Sequence, residues 1–278
     1  MLSGIAVSDL KEMNANFKNK KSPKCLSTSS FMKNIKSGFL LVALITFFTI
    51  HFSACNEKVT DPATFETDSI SDIDGNVYKT VKIGDQWWMA ENLIVQRYRN
   101  GDSIYFVSKS RPDSVWSNLK TGGYCYFEER YGFLYNFYSI SDARGIAPAG
   151  WHIPSDDEWK ELERTLGMSS DDNNKVYWRG TDQGNTLKKS GGFTMYWIPS
   201  PDILNISATN ESGFSAVGGS CRVFNGLWGD VTHTAFWWTS TLNGNEAWYR
   251  SLDYNKSNVF RYYGPENYGF SIRCVKDK

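Results

Sequence analysis

The sequence predicts an α+β domain built mostly from short antiparallel strands, with few helices and long loops. Three observations predict it. From residue 213 onward, short aromatic and β-branched runs alternate with Gly, Asn and Asp turns. Near residue 84, an alternating apolar–polar run doubles back through Gly84-Asp85. One strongly specified helix begins at Ser155.

Taken in chain order, the first informative segment is not part of that domain. Met32-Lys33-Asn34-Ile35-Lys36 is basic, residues 38–50 form an apolar run broken by Thr46 and Thr49, and Phe52-Ser53-Ala54-Cys55 follows. A basic start, an apolar middle and small residues before a cut make a signal peptide. The run covers roughly 20 Å as a helix, too short for a bilayer core of about 30 Å. Ser53 and Ala54 before Cys55 resemble a lipobox, so 32–54 is predicted to be cleaved and Cys55 acylated. Two or three acyl chains anchor durably where one does not. The expected partner at this end is therefore a membrane, and the expected location is the cell envelope, at the outer membrane, with the face left open. Residues 1–31 precede a complete signal and read as a non-native or disordered extension. Residues 55–72, rich in Thr, Ser, Asp and Glu, read as the lipidated cysteine and an acidic tether.

One domain is predicted over 73–278. It opens with a strand over 75–83, the Gly84-Asp85 turn and a returning strand over 86–89. Ser155 then caps a helix, Glu158 completes a capping box, Trp159, Leu162 and Leu166 share one face, and Gly167 stops it. Residues 236–241, 247–252, 259–263 and 270–275 read as strands.

Composition narrows the function. The 30 basic and 30 acidic residues balance overall, but seven lysines lie before residue 56, leaving a body with 23 basic and 28 acidic side chains. An acidic body gives no electrostatic basis for nucleic-acid binding. All 11 tryptophans and all 15 tyrosines follow residue 55, enough aromatic area for a sizeable core.

Seven segments occur in order: Asp74-Gly75-Asn76-Val77-Tyr78-Lys79-Thr80-Val81-Lys82-Ile83-Gly84, Trp88-Met89-Ala90-Glu91-Asn92-Leu93, Tyr131-Gly132-Phe133-Leu134-Tyr135-Asn136, Ala147-Pro148-Ala149-Gly150-Trp151-His152-Ile153-Pro154-Ser155, Gly213-Phe214-Ser215-Ala216, Trp237-Trp238-Thr239-Ser240-Thr241, and Tyr268-Gly269-Phe270-Ser271-Ile272-Arg273-Cys274-Val275. Together they resemble the Fibrobacter succinogenes major paralogous domain family, over about 73–277. The resemblance implies a C-type-lectin-like fold related to the formylglycine-generating sulfatase modifiers, and implies no catalytic mechanism. Ala147 stands where the family usually has a cysteine, which excludes a family-type bridge there, and Cys221 stands where a tyrosine is usual.

Cys125, Cys221 and Cys274 remain after processing, in a compartment expected to oxidise thiols. A Cys221–Cys274 bridge is the leading expectation, because both lie in the strand-rich closing half; Cys125–Cys274 and three unpaired thiols stay open. No zinc spacing joins His152, His233 and the cysteines, and the lectin calcium signatures are missing, so no metal or cofactor is expected. No Gly-x-Ser-x-Gly elbow or phosphate-binding loop occurs, so no enzyme is expected. The expected ligand site is aromatic: Trp237, Trp238, Trp248, Tyr249, Arg250, Arg261, Tyr263 and Asn267, with one ring of each adjacent pair facing out. The expected function is a non-enzymatic binding or adhesion domain for a glycan or a surface protein. The alternatives are a structural envelope component and a relative of the formylglycine-generating enzymes.

Overall fold

The computed structural model describes residues 65–190, 207–229 and 233–278. These belong to a single compact unit, Thr60–Lys278; the chain before it, with the expected extension, signal peptide and Cys55, lies outside the described residues. None of the described helices is long and apolar enough to cross a membrane.

The predicted hairpin is present as β2 (Val77–Ile83) and β3 (Gln86–Met89), with Thr80 opposite Met89 and Ile83 opposite Gln86. Gly84 takes φ +60° in the two-residue turn, a conformation that L side chains resist. The domain starts earlier than expected, because β1 (Thr67–Ser71), placed by the sequence in the tether, pairs antiparallel with β2. Its side chains are exposed apart from half-buried Ile70, so it is held by backbone bonds and has no apolar alternation to reveal it. The sheet is completed by β14 (Val275–Lys276) and β7 (Trp151–His152), in the order β1-β2-β3-β14-β7.

The long middle loops contain small elements. A three-stranded sheet joins β4 (Tyr105–Phe106), β5 (Gly123–Cys125) and β6 (Leu134–Tyr135), with helix α1 (Asp113–Ser117) between β4 and β5 and α2 (Phe137–Ile140) after β6.

The main helix, α3 (Asp156–Thr165), matches its prediction closely. Ser155 accepts from the Glu158 backbone at 3.2 Å while the Glu158 carboxylate accepts from the Ser155 N–H at 2.8 Å. Trp159 and Leu162 are buried, and so are Asp156 and Glu163, which the apolar pattern does not announce. A short α4 (Ser170–Asn173), β8 (Tyr177–Arg179) and α5 (Gln183–Leu187) follow.

The closing half forms a four-stranded sheet, β11-β12-β13-β8, from β11 (Thr234–Asn243), β12 (Glu246–Asp253) and β13 (Val259–Pro265), beside a small pair, β9 (Cys221–Arg222) and β10 (Trp228–Gly229). The expected strand over 270–275 is a correction: only Val275 enters a ladder. Residues 269–275 are buried throughout and cross between sheets. The backbone of Phe270 bonds Tyr135, that of Ser271 bonds Phe236, and Ile272 and Cys274 accept from Leu93 and Met89.

Both large sheets bury side chains on both faces. Val81, Ile83 and Trp88 of the first meet Trp159, Leu162, Phe214 and Trp237 in one core, while Tyr78 and Met89 face another with Phe133 and Ile272. The far face of the β11–β13 sheet packs Trp238 and Tyr249 on Phe137 and Phe270. The α+β class with mostly antiparallel strands is therefore the observed architecture.

Candidate functional site

Burial on both faces of the β11–β13 sheet disperses most of the expected ligand residues. Trp237 and Trp238 point to opposite faces, as alternation requires, yet both are fully buried because each face has its own core. Trp237 Nε1 donates to Asn92 Oδ1 at 2.9 Å and Trp238 Nε1 to the Tyr135 carbonyl at 2.8 Å. Tyr249 is packed beside Trp238 and Phe270.

Arg250 and Arg261 belong to a buried ion network instead of a surface. Asp156 accepts from Arg250 at 2.8 Å and from Arg261 at 2.7 Å, while Glu163 accepts from Arg250 at 2.8 Å and Arg179 at 2.7 Å. Burial opposes charge on Asp156, but Arg261 and Arg250 outweigh it and hold its carboxyl below the usual range. Asn267 is a structural tie, donating to the Phe224 carbonyl at 2.9 Å and accepting from Trp116 Nε1 at 2.7 Å.

The expected Cys221–Cys274 bridge is not formed. Cys274 is a buried thiol in the core beneath the first sheet, and Cys125 a buried thiol beside Trp116. Cys221 lies in a third core, its sulfur 3.4 Å from the Gly229 carbonyl. Burial pushes the thiol pKa of Cys125 and Cys274 far up.

Three of the expected residues, Trp248, Tyr263 and Asn267, remain half-exposed, and the fold gives Trp248 and Tyr263 neighbours the sequence does not. Tyr177 stacks on Tyr262 at 4.9 Å, Tyr262 on Tyr263 at 4.6 Å, and Tyr263 meets Trp248 edge-on at 5.0 Å. The Arg261 guanidinium caps Trp248 at 3.7 Å. Tyr177 is 55% exposed and sits at φ +65°, a strained conformation for a non-glycine residue. The neighbouring Tyr177 hydroxyl is the main reason the Tyr262 phenol titrates above its ordinary range. Tyr177 was not legible as a partner, since 85 residues separate it from Tyr262 and only the β8–β13 pairing joins them.

A second feature is a cleft of about 560 Å³ lined by residues that include Lys79, Glu91, Asn92, Tyr131, Lys189 and Arg273. Five of the seven sequence segments quoted above contribute to its walls. Asn92 Oδ1 accepts from both Arg273 Nε and Trp237 Nε1, each at 2.9 Å, and Asn92 Nδ2 donates to the Tyr131 carbonyl at 2.8 Å. Arg273 also donates to the carbonyls of Phe214 and Ser215 and lies 4.2 Å over the Phe214 ring. One signal could have found it: a lone arginine inside the apolar run 270–275.

His152 bridges Asp277 at 2.6 Å and Glu158 at 2.8 Å, joining the chain end to the start of α3. Among the described residues, no group of three or more His, Cys, Asp or Glu is arranged to hold a metal ion.

Neither the curated proteins nor the solved structures contain a significant match to this chain. The model of the Fibrobacter succinogenes major domain matches residues 81–276, most of the folded unit, and the chain belongs to that family.

Proposed function

We propose that the protein is a non-enzymatic binding domain of the cell envelope, tethered to the outer membrane through acylated Cys55 and capturing a glycan. The observation that carries this is the half-exposed ladder Tyr177–Tyr262–Tyr263–Trp248. Rings clustered across β12, β13 and the edge strand β8 present flat apolar faces that suit sugar rings, at low entropic cost because each ring has two torsions. Strain at exposed Tyr177 supports the same reading, since such strain gathers at ligand clamps. The C-type-lectin-like relationship belongs to this proposal, supported by short antiparallel sheets, few helices and long loops.

The test is glycan-array retention of the mature protein. Tyr262→Ala and Trp248→Ala are each expected to weaken it severalfold while the circular dichroism of the fold is kept; each ring contact contributes on the order of 1 kcal/mol. Retention unchanged in both variants overturns the glycan reading. Mass spectrometry of the native product is expected to find an acylated Cys55 at its N-terminus, and an intact, fatty-acid-free leader overturns the anchor.

A further inference from the structure

The lining of the 560 Å³ cleft includes a buried cation, Arg273, that contacts no carboxylate among the described residues. Five arginines are buried among the described residues: Arg179, Arg222, Arg250, Arg261 and Arg273. The first four each meet an Asp or Glu within 3.4 Å. Arg273, at 1% exposure, forms no ion pair among the described residues. Its partners are the neutral oxygens of Asn92, Phe214 and Ser215, one each for Nε, Nη1 and Nη2. A guanidinium has five N–H groups, so one on each Nη is left over.

An unpaired buried charge is costly, and a fold that keeps one beside an opening is arranged to receive the opposite charge. Burial pulls the Arg273 pKa down to about 9, with Glu91 opposing, so the group is still a cation at neutral pH. The rest of the cleft is close to electrically balanced, Lys79, Arg130 and Lys189 standing against Glu91 and Glu129, so Arg273 supplies its excess positive charge. Arg130 is already engaged by Glu128 at 2.6 Å, and Glu91 Oε2 by the Lys79 N–H at 2.7 Å. Lys79 and Lys189 are exposed.

The geometry points to a binding site for a small carboxylate-bearing ligand in this cleft, its carboxylate set against Arg273 and the lysines Lys79 and Lys189 at its rim. The volume falls in the usual range for small-ligand pockets, roughly 300–1,000 Å³. The two leftover N–H groups of a planar guanidinium match the two oxygens of a planar carboxylate. Glu91, a carboxylate in the same cleft, opposes an incoming anion.

Titration calorimetry on the full chain tests it with three probes: galacturonate, neutral galactose of the same ring, and inorganic phosphate. Galacturonate is expected to bind with one-to-one stoichiometry at least tenfold tighter than galactose. Glu91→Gln is expected to tighten it severalfold, and Lys189→Ala, at an exposed position, to weaken it severalfold without unfolding the protein. Arg273→Lys keeps the charge but loses the fork, and is expected to weaken binding more than Lys189→Ala does. Because Arg273 also anchors the Phe214 loop, the rim variants decide the matter if that protein fails to fold. Equal affinity for galactose, or indifference to both Glu91→Gln and Lys189→Ala, overturns the proposal. Phosphate binding tighter than galacturonate overturns the carboxylate assignment. The site stands apart from the aromatic ladder: Tyr262→Ala should leave galacturonate affinity unchanged, and its loss there would overturn the cleft.

Discussion

Gly132 sits at φ +88°, and a Cβ there would collide with the Cβ of Asn92, whose amide ties Arg273, Trp237 and Tyr131 together. Gly132→Ala is therefore expected to lose about 2–4 kcal/mol, from left-handed strain and overpacking together. The check is the urea midpoint, which should fall at an unchanged slope. His152 offers a pH-dependent test. Burial opposes its charge, but Asp277 and Glu158 outweigh that and raise its pKa above 6.5. A raised folded pKa stabilises fully below the unfolded value and is lost as pH rises through the folded one. Thermal stability should thus decline modestly as pH rises above 6.5, and His152→Gln should remove that slope in a melting series.

The helix α3 joins two kinds of information. Its capping box and apolar face are written locally, but its hold on strands β8, β12 and β13 comes from Asp156 and Glu163 meeting Arg179, Arg250 and Arg261. Asp156→Asn leaves Arg250 and Arg261 buried and short of countercharge, and is expected to cost about 3–5 kcal/mol by chemical denaturation. The acid limb follows from the same pair. A carboxylate held below its usual 3.8 stabilises above that value and loses its contribution as pH falls through the folded pKa. The wild type should begin to lose stability below about pH 4, and the Asn variant should show a shallower acid slope. Because the network is buried, 1 M salt should change the wild-type midpoint little.

At the scale of the molecule, the closing segment binds the sheets together. Residues 270–274 bond in turn to β6, β11, the chain after β3, and β3 itself. Truncation after Gly269 is expected to abolish the cooperative melt and the near-ultraviolet aromatic signal, even though it removes only nine residues. The cysteines give a second whole-molecule test. Cys125 and Cys274 are buried thiols of raised pKa, so iodoacetamide should label them only after denaturation, and a reductant should not move the melting temperature. Labelling of Cys274 in the native protein, or a reductant-sensitive melt, would contradict the separated cores.

The β2–β3 hairpin, the capped helix at Ser155 and the three long closing strands could be read from the chain, because a two-residue turn, a capping box and period-two alternation are each complete within about ten residues. The family could be read too, since its motifs are linear. What lies on top of each sheet could not. Trp237 and Trp238 alternate as a half-exposed strand should, and only the packing of Phe214 on one side and Phe270 on the other decides that both are interior. The same holds for Arg250 and Arg261, which look like binding residues until Asp156 is brought to them from about a hundred positions away. Tyr177 on Tyr262, and Arg273 in the lining of its cleft, likewise depend on pairings across more than fifty residues. Alternation along a strand states which side chains share a face; which faces are covered is settled by contacts between distant segments, and that is where both candidate sites were made.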